Sequence, residues 1–233
     1  EAGKRALLAG VDMDMTAEIY PKDLLRLVES GEVPLAAVDE AVRRILRVKF
    51  ALGLFERPYA DPAKESVLLA PEHLALAREV AARSCVLLKN DRRLPLAKGL
   101  KALAVIGPLA DNQADLLGTW SCEGEAKHVV TILEGIKAVS STTKLLHTKG
   151  CEIAGGGTEG FVAAVAAAKE AGLAVLVLGE EQLMSGEGGS RTSLQLPGHQ
   201  LDLAKAVHAA GVPFVAVVLS GRPLAIPWLA EHA

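Results

Sequence analysis

Beyond residue 100 the chain alternates between two kinds of segment, and this alternation limits the fold more than any other feature. Short apolar runs stand at Ala102 to Gly107, Lys144 to Thr148, Ala174 to Gly179 and Phe214 to Leu219. Helical-period stretches lie between them, near Val129 to Ala138, Thr158 to Ala171 and Gly198 to Ala210. A strand buried on both faces reads as a continuous apolar run, and a parallel pair needs a crossover, usually a helix. The expected class is therefore α/β, a mostly parallel sheet flanked by helices. An aromatic content of 3% beside 50% hydrophobic residues fits helices on a buried sheet better than an aromatic-rich β-sandwich. Pro227 to Ala233 begins one more helix with no strand after it, so the chain reads as stopping inside this domain.

The first part of the chain has a different texture. Leu24, Leu27 and Val28, then Val38, Ala41, Val42, Ile45, Val48 and Leu52, recur at helical spacing. They predict two amphipathic helices between Asp23 and Leu54, broken at Gly31 to Pro34. Asp39, Glu40, Arg43, Arg44 and Arg47 on the opposite face of the second read as a solvated surface. Periodicity is lost from Phe55 to Pro71, where Pro58, Pro62 and Pro71 punctuate the chain as in a linker. The expected organisation is a unit over 1–55, a linker over 56–70 and an α/β domain over 71–233. The last opens with a helix from Pro71 to near Asn90, its stripe formed by Leu74, Ala77, Ala81, Cys85 and Leu88.

Charge narrows the partners. A net charge of -3 and a pI near 6.1 give no basic field for a phosphate backbone, so nucleic acid is excluded as a general partner and a neutral small molecule is favoured. Apolar runs fall far short of the roughly 18 to 20 residues that cross a bilayer, and no membrane partner is expected. Cys85, Cys122 and Cys151 have neither disulfide-framework nor zinc-site spacing. The six histidines form no ligand-spaced pair, and no Walker, H-E-x-x-H or G-x-S-x-G pattern occurs. Neither a metal nor a cofactor is implied.

In an open parallel sheet, ligands bind beyond the carboxyl ends of the strands. The loop from Glu180 to Pro197 is the richest there, with Glu180, Glu181, Glu187 and Arg191 among several glycines, and it is longer than a connection requires. It is the leading active-site candidate, against the alternative of a solvated surface loop. The loop from Pro108 to Glu125 carries Asp111, Asn112, Asp115, Cys122 and Trp120, whose indole either stacks on a sugar ring or base or packs down over the core. Arg222, in Ser220-Gly221-Arg222-Pro223, either shapes the site or bonds structurally to carbonyls. Gly155, Gly157 and Gly160 satisfy G-x-G-x-x-G, with Glu180 about 20 residues on, which keeps a dinucleotide-binding domain as an alternative. The stretch before it, Gly150 to Ala154, is a poor strand.

Several segments in one order resemble the family 3 glycoside hydrolases, the β-glucosidase family, along essentially the whole chain. Ala9 to Met15 (AGVDMDM), then Arg44, Ile45, Leu46, Lys49, Phe50, Gly53, Leu54 and Phe55, look like the end of that family's (β/α)8 barrel. Ala77 to Asn90 with Leu94, Pro95 and Leu96 is similar to the opening of its second domain. Val105 to Asn112 (VIGPLADN), Gly179 with Glu180, Leu196 and Pro197 with Gln200, and Ser220 to Leu224 (SGRPL) follow in the order of its α/β sandwich domain.

The resemblance implies a retaining β-glycosidase acting on a β-linked oligosaccharide or glucoside. One carboxylate attacks the anomeric carbon while another carboxyl protonates the leaving oxygen and later serves as base. The attacking Asp of the family stands upstream of AGVDMDM, so the isolated chain is expected to be inactive and to need the barrel domain of the same protein as its partner. Asp12 matches a supporting position at a barrel strand end, and Asp14 matches nothing fixed. The acid/base Glu of the family lies shortly before an Arg and the L-P-x-x-Q that opens the next helix. Carried over, this is Glu187, with Arg191 four residues on; the usual E-G-x-D-R reads Glu187, Gly188, Gly189, Ser190, Arg191, with Ser190 in place of Asp. Glu180 and Glu181 are the fallbacks. Arg191 and Trp120 are the expected substrate-binding residues. The resemblance suits a periplasmic or secreted setting and leaves a homodimer open. A non-catalytic sugar-binding or assembly module stands as the alternative of a different class.

Overall fold

A computed structural model describes residues 1–233 and divides into two compact units, Glu1–Cys85 and Val86–Ala233. The first unit is helical: α1 (Ala2–Leu8), α2 (Ile19–Glu29), α3 (Leu35–Ala51) and α4 (Pro71–Ser84). Its small core is Leu7, Leu27, Val33 and Ala41, edged by Tyr20, Leu24, Val28 and Val38. The helix α1 was not expected, since Leu7 alone among its side chains of any size is buried. The helix α2 starts at Ile19 rather than Asp23, because the Asp14 carboxylate accepts the amides of Ile19 at 2.5 Å and Tyr20 at 3.1 Å and serves the helix end from outside. Asp12 forms a forked pair with Arg44, Nε lying 2.9 Å from each carboxylate oxygen.

One sequence expectation changes here. The helix from Pro71 stops at Ser84 rather than near Asn90, and Cys85 is already extended. The Ser84 hydroxyl donates to Val80 O at 2.8 Å and the Cys85 thiol to Ala81 O at 3.4 Å, so side chains occupy carbonyls that a continuing helix would give to its amides. No residue of α4 is buried, and by compactness the helix falls within the first unit. The proline-punctuated stretch before it holds a 3-10 turn, Pro62–Val67, whose Asp61 side chain accepts Ala63 N–H at 3.0 Å.

The second unit is the expected sheet. Its strands β1 (Ala102–Ile106), β2 (Lys144–Thr148), β3 (Ala174–Gly179) and β4 (Phe214–Leu219) are all parallel and lie in the order β2-β1-β3-β4. Between and after them come α5 (Ile132–Val139), α6 (Phe161–Ala171), α7 (Gln200–Ala209) and α8 (Pro227–His232). Alternate residues of the two central strands feed opposite cores. Ala104, Ile106, Leu176 and Leu178 meet Ala164, Ala168, Leu203, Val207 and Leu229 on one face. Leu103, Val105, Val175 and Val177 meet Ile132, Leu133 and Ile136 on the other. Both faces of β1 and β3 are therefore covered, which is why their sequences show no polar alternation. The helix α5 begins at Ile132, later than its periodicity suggests, because Thr131 and Glu134 form a reciprocal capping box that fixes the start.

Candidate active site

In this strand order the chain leaves β1 for β2 on one side, then crosses to β3 on the other, so the direction of winding reverses between β1 and β3. The loops that follow these two strands must diverge there, which opens a crevice at their carboxyl ends. Each strand stops at a glycine that the packing demands. A Cβ on Gly107, at φ 132°, would lie 2.1 Å from Val177 O, and one on Gly179, at φ 148°, would lie 1.8 Å from Leu219 O. The crevice has a volume of about 340 Å³. Its walls come from Asp115 to Trp120 after β1, Glu180 to Gly186 after β3, and Leu219 to Gly221 after β4. A second open cavity of about 440 Å³, past β1 and β2, is bordered by Asp111, His147 and Lys149.

The three carboxylates of the β3 loop have different surroundings. Glu180 is buried, its side chain only 1% exposed. It receives Arg222 Nε at 3.0 and 3.2 Å, the Ser220 hydroxyl at 2.8 Å, and a short contact from Arg191 Nη1. Burial alone would push this carboxyl up; the hydrogen bonds from Ser220, Arg191 and Arg222 outweigh it and hold the group below the usual value of 4.5. Glu180 is thus an ionised, fully partnered structural carboxylate. Glu181 is exposed at the rim of the crevice. Glu187 is exposed on the tip Gly186–Ser190, between Gly186 at φ 94° and Gly188 at φ 76°, and makes no ion pair.

The other expected residues can now be placed. Arg191 faces Glu180 rather than Glu187, and its Nη2 donates to Gln195 O at 3.2 Å. Trp120 is 68% exposed on the crevice wall, so it is not a lid on the core. Arg222 makes the structural bonds that were one of its two expected roles, donating to the carbonyls of Arg191 at 3.2 Å and Ser193, and it also pairs with Glu180. The Gly155 to Gly160 pattern follows the edge strand β2 after an irregular stretch, away from the reversal point, and its downstream acid Glu180 is spent on two arginines. Gly160 is explained by packing, since a Cβ there would lie 2.3 Å from Gly150 O. These observations remove the grounds for a dinucleotide site.

Sequence reasoning missed Thr119 and named Asp115 without giving it a role. The Thr119 hydroxyl lies between the carbonyls of Gln182 at 2.5 Å and Ser185 at 2.7 Å, and Asp115 accepts Gln182 N–H at 2.8 Å. They tie the β1 loop to the β3 loop across the crevice, and no motif announces either.

The sequence profile of the glycosyl hydrolase family 3 C-terminal domain matches residues 85–233, and that of the family's N-terminal domain matches residues 1–48. The chain belongs to glycosyl hydrolase family 3. A periplasmic beta-glucosidase of Salmonella typhimurium is 42% identical over 97% of the chain, and a beta-xylosidase of Formosa agariphila is 36% identical over all of it. A beta-glucosidase from Listeria innocua, solved with glucose, superposes on the whole chain with a TM-score of 0.91 at 38% identity. The chain spans about a third of each family 3 relative: 33% and 34% of the two sequences and 32% of the solved chain.

Proposed function

We propose that this chain is the part of a retaining family 3 β-glycosidase that carries the acid/base carboxyl, and that Glu187 is that group. In this reading residues 1–55 are the end of the (β/α)8 barrel, 56–70 the connection and 71–233 the sandwich domain, with the nucleophile elsewhere in the enzyme. The observation that carries the assignment is the contrast between carboxylates on one loop. A general acid must hold a proton and release it to a leaving oxygen, so it needs free access and no permanent cation beside it. Glu180 fails on both counts, while Glu187 stands unpaired on a glycine-flanked tip beyond a parallel strand. Trp120, exposed on the crevice wall, offers a flat apolar face for a sugar ring. The Listeria innocua enzyme has been solved with glucose, and a mutant of it with laminaribiose, which supports a β-glucoside as the ligand class here.

Asp12 and Asp14 are unsuited to attack an anomeric carbon. The first is forked onto Arg44 and the second accepts two amides at the start of α2. In the full-length enzyme, Glu187→Ala should slow hydrolysis of a disaccharide by roughly 10²- to 10⁴-fold. It should cost far less on a dinitrophenyl glucoside, whose leaving group needs no proton, and azide should then divert the product to a glycosyl azide. Equal disaccharide turnover by mutant and parent would move the role to Glu181.

A further inference from the structure

The loop between β3 and α7 is irregular over most of its length, yet it is fixed at defined points on either side of its tip. On the near side the Thr119 hydroxyl shares its one proton between the carbonyls of Gln182 and Ser185, and Asp115 accepts Gln182 N–H. On the far side Arg191 binds Glu180, Arg222 Nη1 donates to Arg191 O, and Arg222 Nη2 donates to Ser193 O. Ala225 N–H adds a bond to Leu194 O at 2.8 Å. Only Gly186–Ser190, with Glu187 on it, lies between these anchors. Glu180 is the hub of the far set: its backbone N–H donates to Leu219 O at 2.9 Å, which fixes it to the sheet, and its carboxylate gathers both arginines and Ser220.

We propose that Glu180, with Arg191 and Arg222, is a positioning device for the acid/base: it does not touch the substrate, but sets where the Gly186–Ser190 tip returns to the domain after leaving the crevice wall at Gly186. The inference rests on the assignment of Glu187. Proton transfer to a leaving oxygen requires a donor within hydrogen-bond reach, and a misplacement of about 1 Å can cost 10²-fold. A glycine-rich tip cannot supply that definition itself. Two rigid guanidinium planes, each joining a carboxylate rooted in the sheet to backbone carbonyls of the loop, can.

The test uses the full-length enzyme and two substrates, a disaccharide and a dinitrophenyl glucoside. Glu180→Gln should lower kcat on the disaccharide by about 10- to 100-fold while lowering it only a few-fold on the activated glycoside, with KM little changed. Added to Glu187→Ala, it should cost nothing further on the disaccharide, because the group it positions is already gone. An equal loss on both substrates, a rise in KM alone, or a fully additive double mutant would each overturn the positioning role. Thr119→Val, which removes part of the near anchor and leaves Asp115 in place, and Arg191→Lys, which keeps charge but cannot reach Glu180 and Gln195 O together, give the same reading if Glu180→Gln folds poorly. Each should show the same leaving-group dependence in smaller measure, and leaving-group independence in both overturns the proposal. Should Glu187→Ala itself lack leaving-group dependence, the assignment of the acid fails on its own evidence, whatever the Glu180 variants show.

Discussion

The carboxylate of Glu180 has a cost and a gain that can be separated by pH. Its surroundings hold it below the usual 4.5, so the folded state binds a proton less readily than the unfolded chain. Stability from this group is therefore fully present above the unfolded value, about 4.3, and is lost as pH falls through the lower folded value. Removing one member of a buried ion pair leaves the others uncompensated, and Glu180→Gln should cost about 3 kcal/mol at neutral pH. The difference from the parent should shrink steadily below about pH 4. Both tryptophans, Trp120 and Trp228, lie in the second unit, so urea unfolding followed by their fluorescence reads this unit without the first. A difference that stayed constant down to pH 3 would mean that the charge of Glu180 is not what stabilises. None of this was visible in the sequence. Arg191 and Arg222 stand 11 and 42 residues from Glu180, and only the return of β4 beside β3 brings Ser220 and Arg222 to it. Glu187 stands out in the sequence only through the local pattern of its neighbours, and its unpaired state is not visible there.

At the level of elements the sequence is a good guide where burial is two-sided and a poor one where a cap or side chain decides. The strands appear within a residue of their apolar runs, since a segment enclosed between two helix layers has no room for polar residues. Helix ends depend on single contacts instead. Asp14 extends α2 at its start, Thr131 delays α5, and the Ser84 hydroxyl and Cys85 thiol close α4 early. The strand ends make their own prediction. Gly179→Ala would drive a Cβ to 1.8 Å from Leu219 O at a backbone angle that other residues rarely adopt. Overpacking and backbone strain of about 1 to 3 kcal/mol each should combine, so the variant should lose roughly 2 to 6 kcal/mol or fail to accumulate as folded protein. Gly211→Ala is the fitting comparison, because it shares the positive φ but meets no atom within 4 Å. Equal losses from the two in thermal unfolding would show that the strand-end contact is not the cause.

Over the whole molecule, the two units differ in how much apolar surface they enclose by themselves. The first buries Leu7, Leu27, Val33 and Ala41, while α4 buries nothing and keeps Leu74, Leu76 and Val80 about half exposed. The second encloses two cores on a four-stranded sheet. Hydrogen exchange on this chain should therefore find amides of β1 and β3 slowest, those of α1 to α3 faster, and those of α4 fastest, since helices in water are marginal without a packed face. Protection of α4 equal to that of β3 would contradict this order. Gln200 adds a consequence for the chain's history rather than its chemistry. Its side-chain amide exchanges two hydrogen bonds with the backbone of Gly179, accepting at 2.8 Å and donating at 2.7 Å, so the first and last residues flanking the long loop are joined to each other. A loop closed at its base is a nearly independent ring, and the entropy of lengthening it grows only with the logarithm of its length, about 0.6 kcal/mol per doubling. Insertions and deletions at Gly186–Ser190 are thus cheap for the fold, and the segment proposed to carry the acid is also the one that evolution can resize most freely.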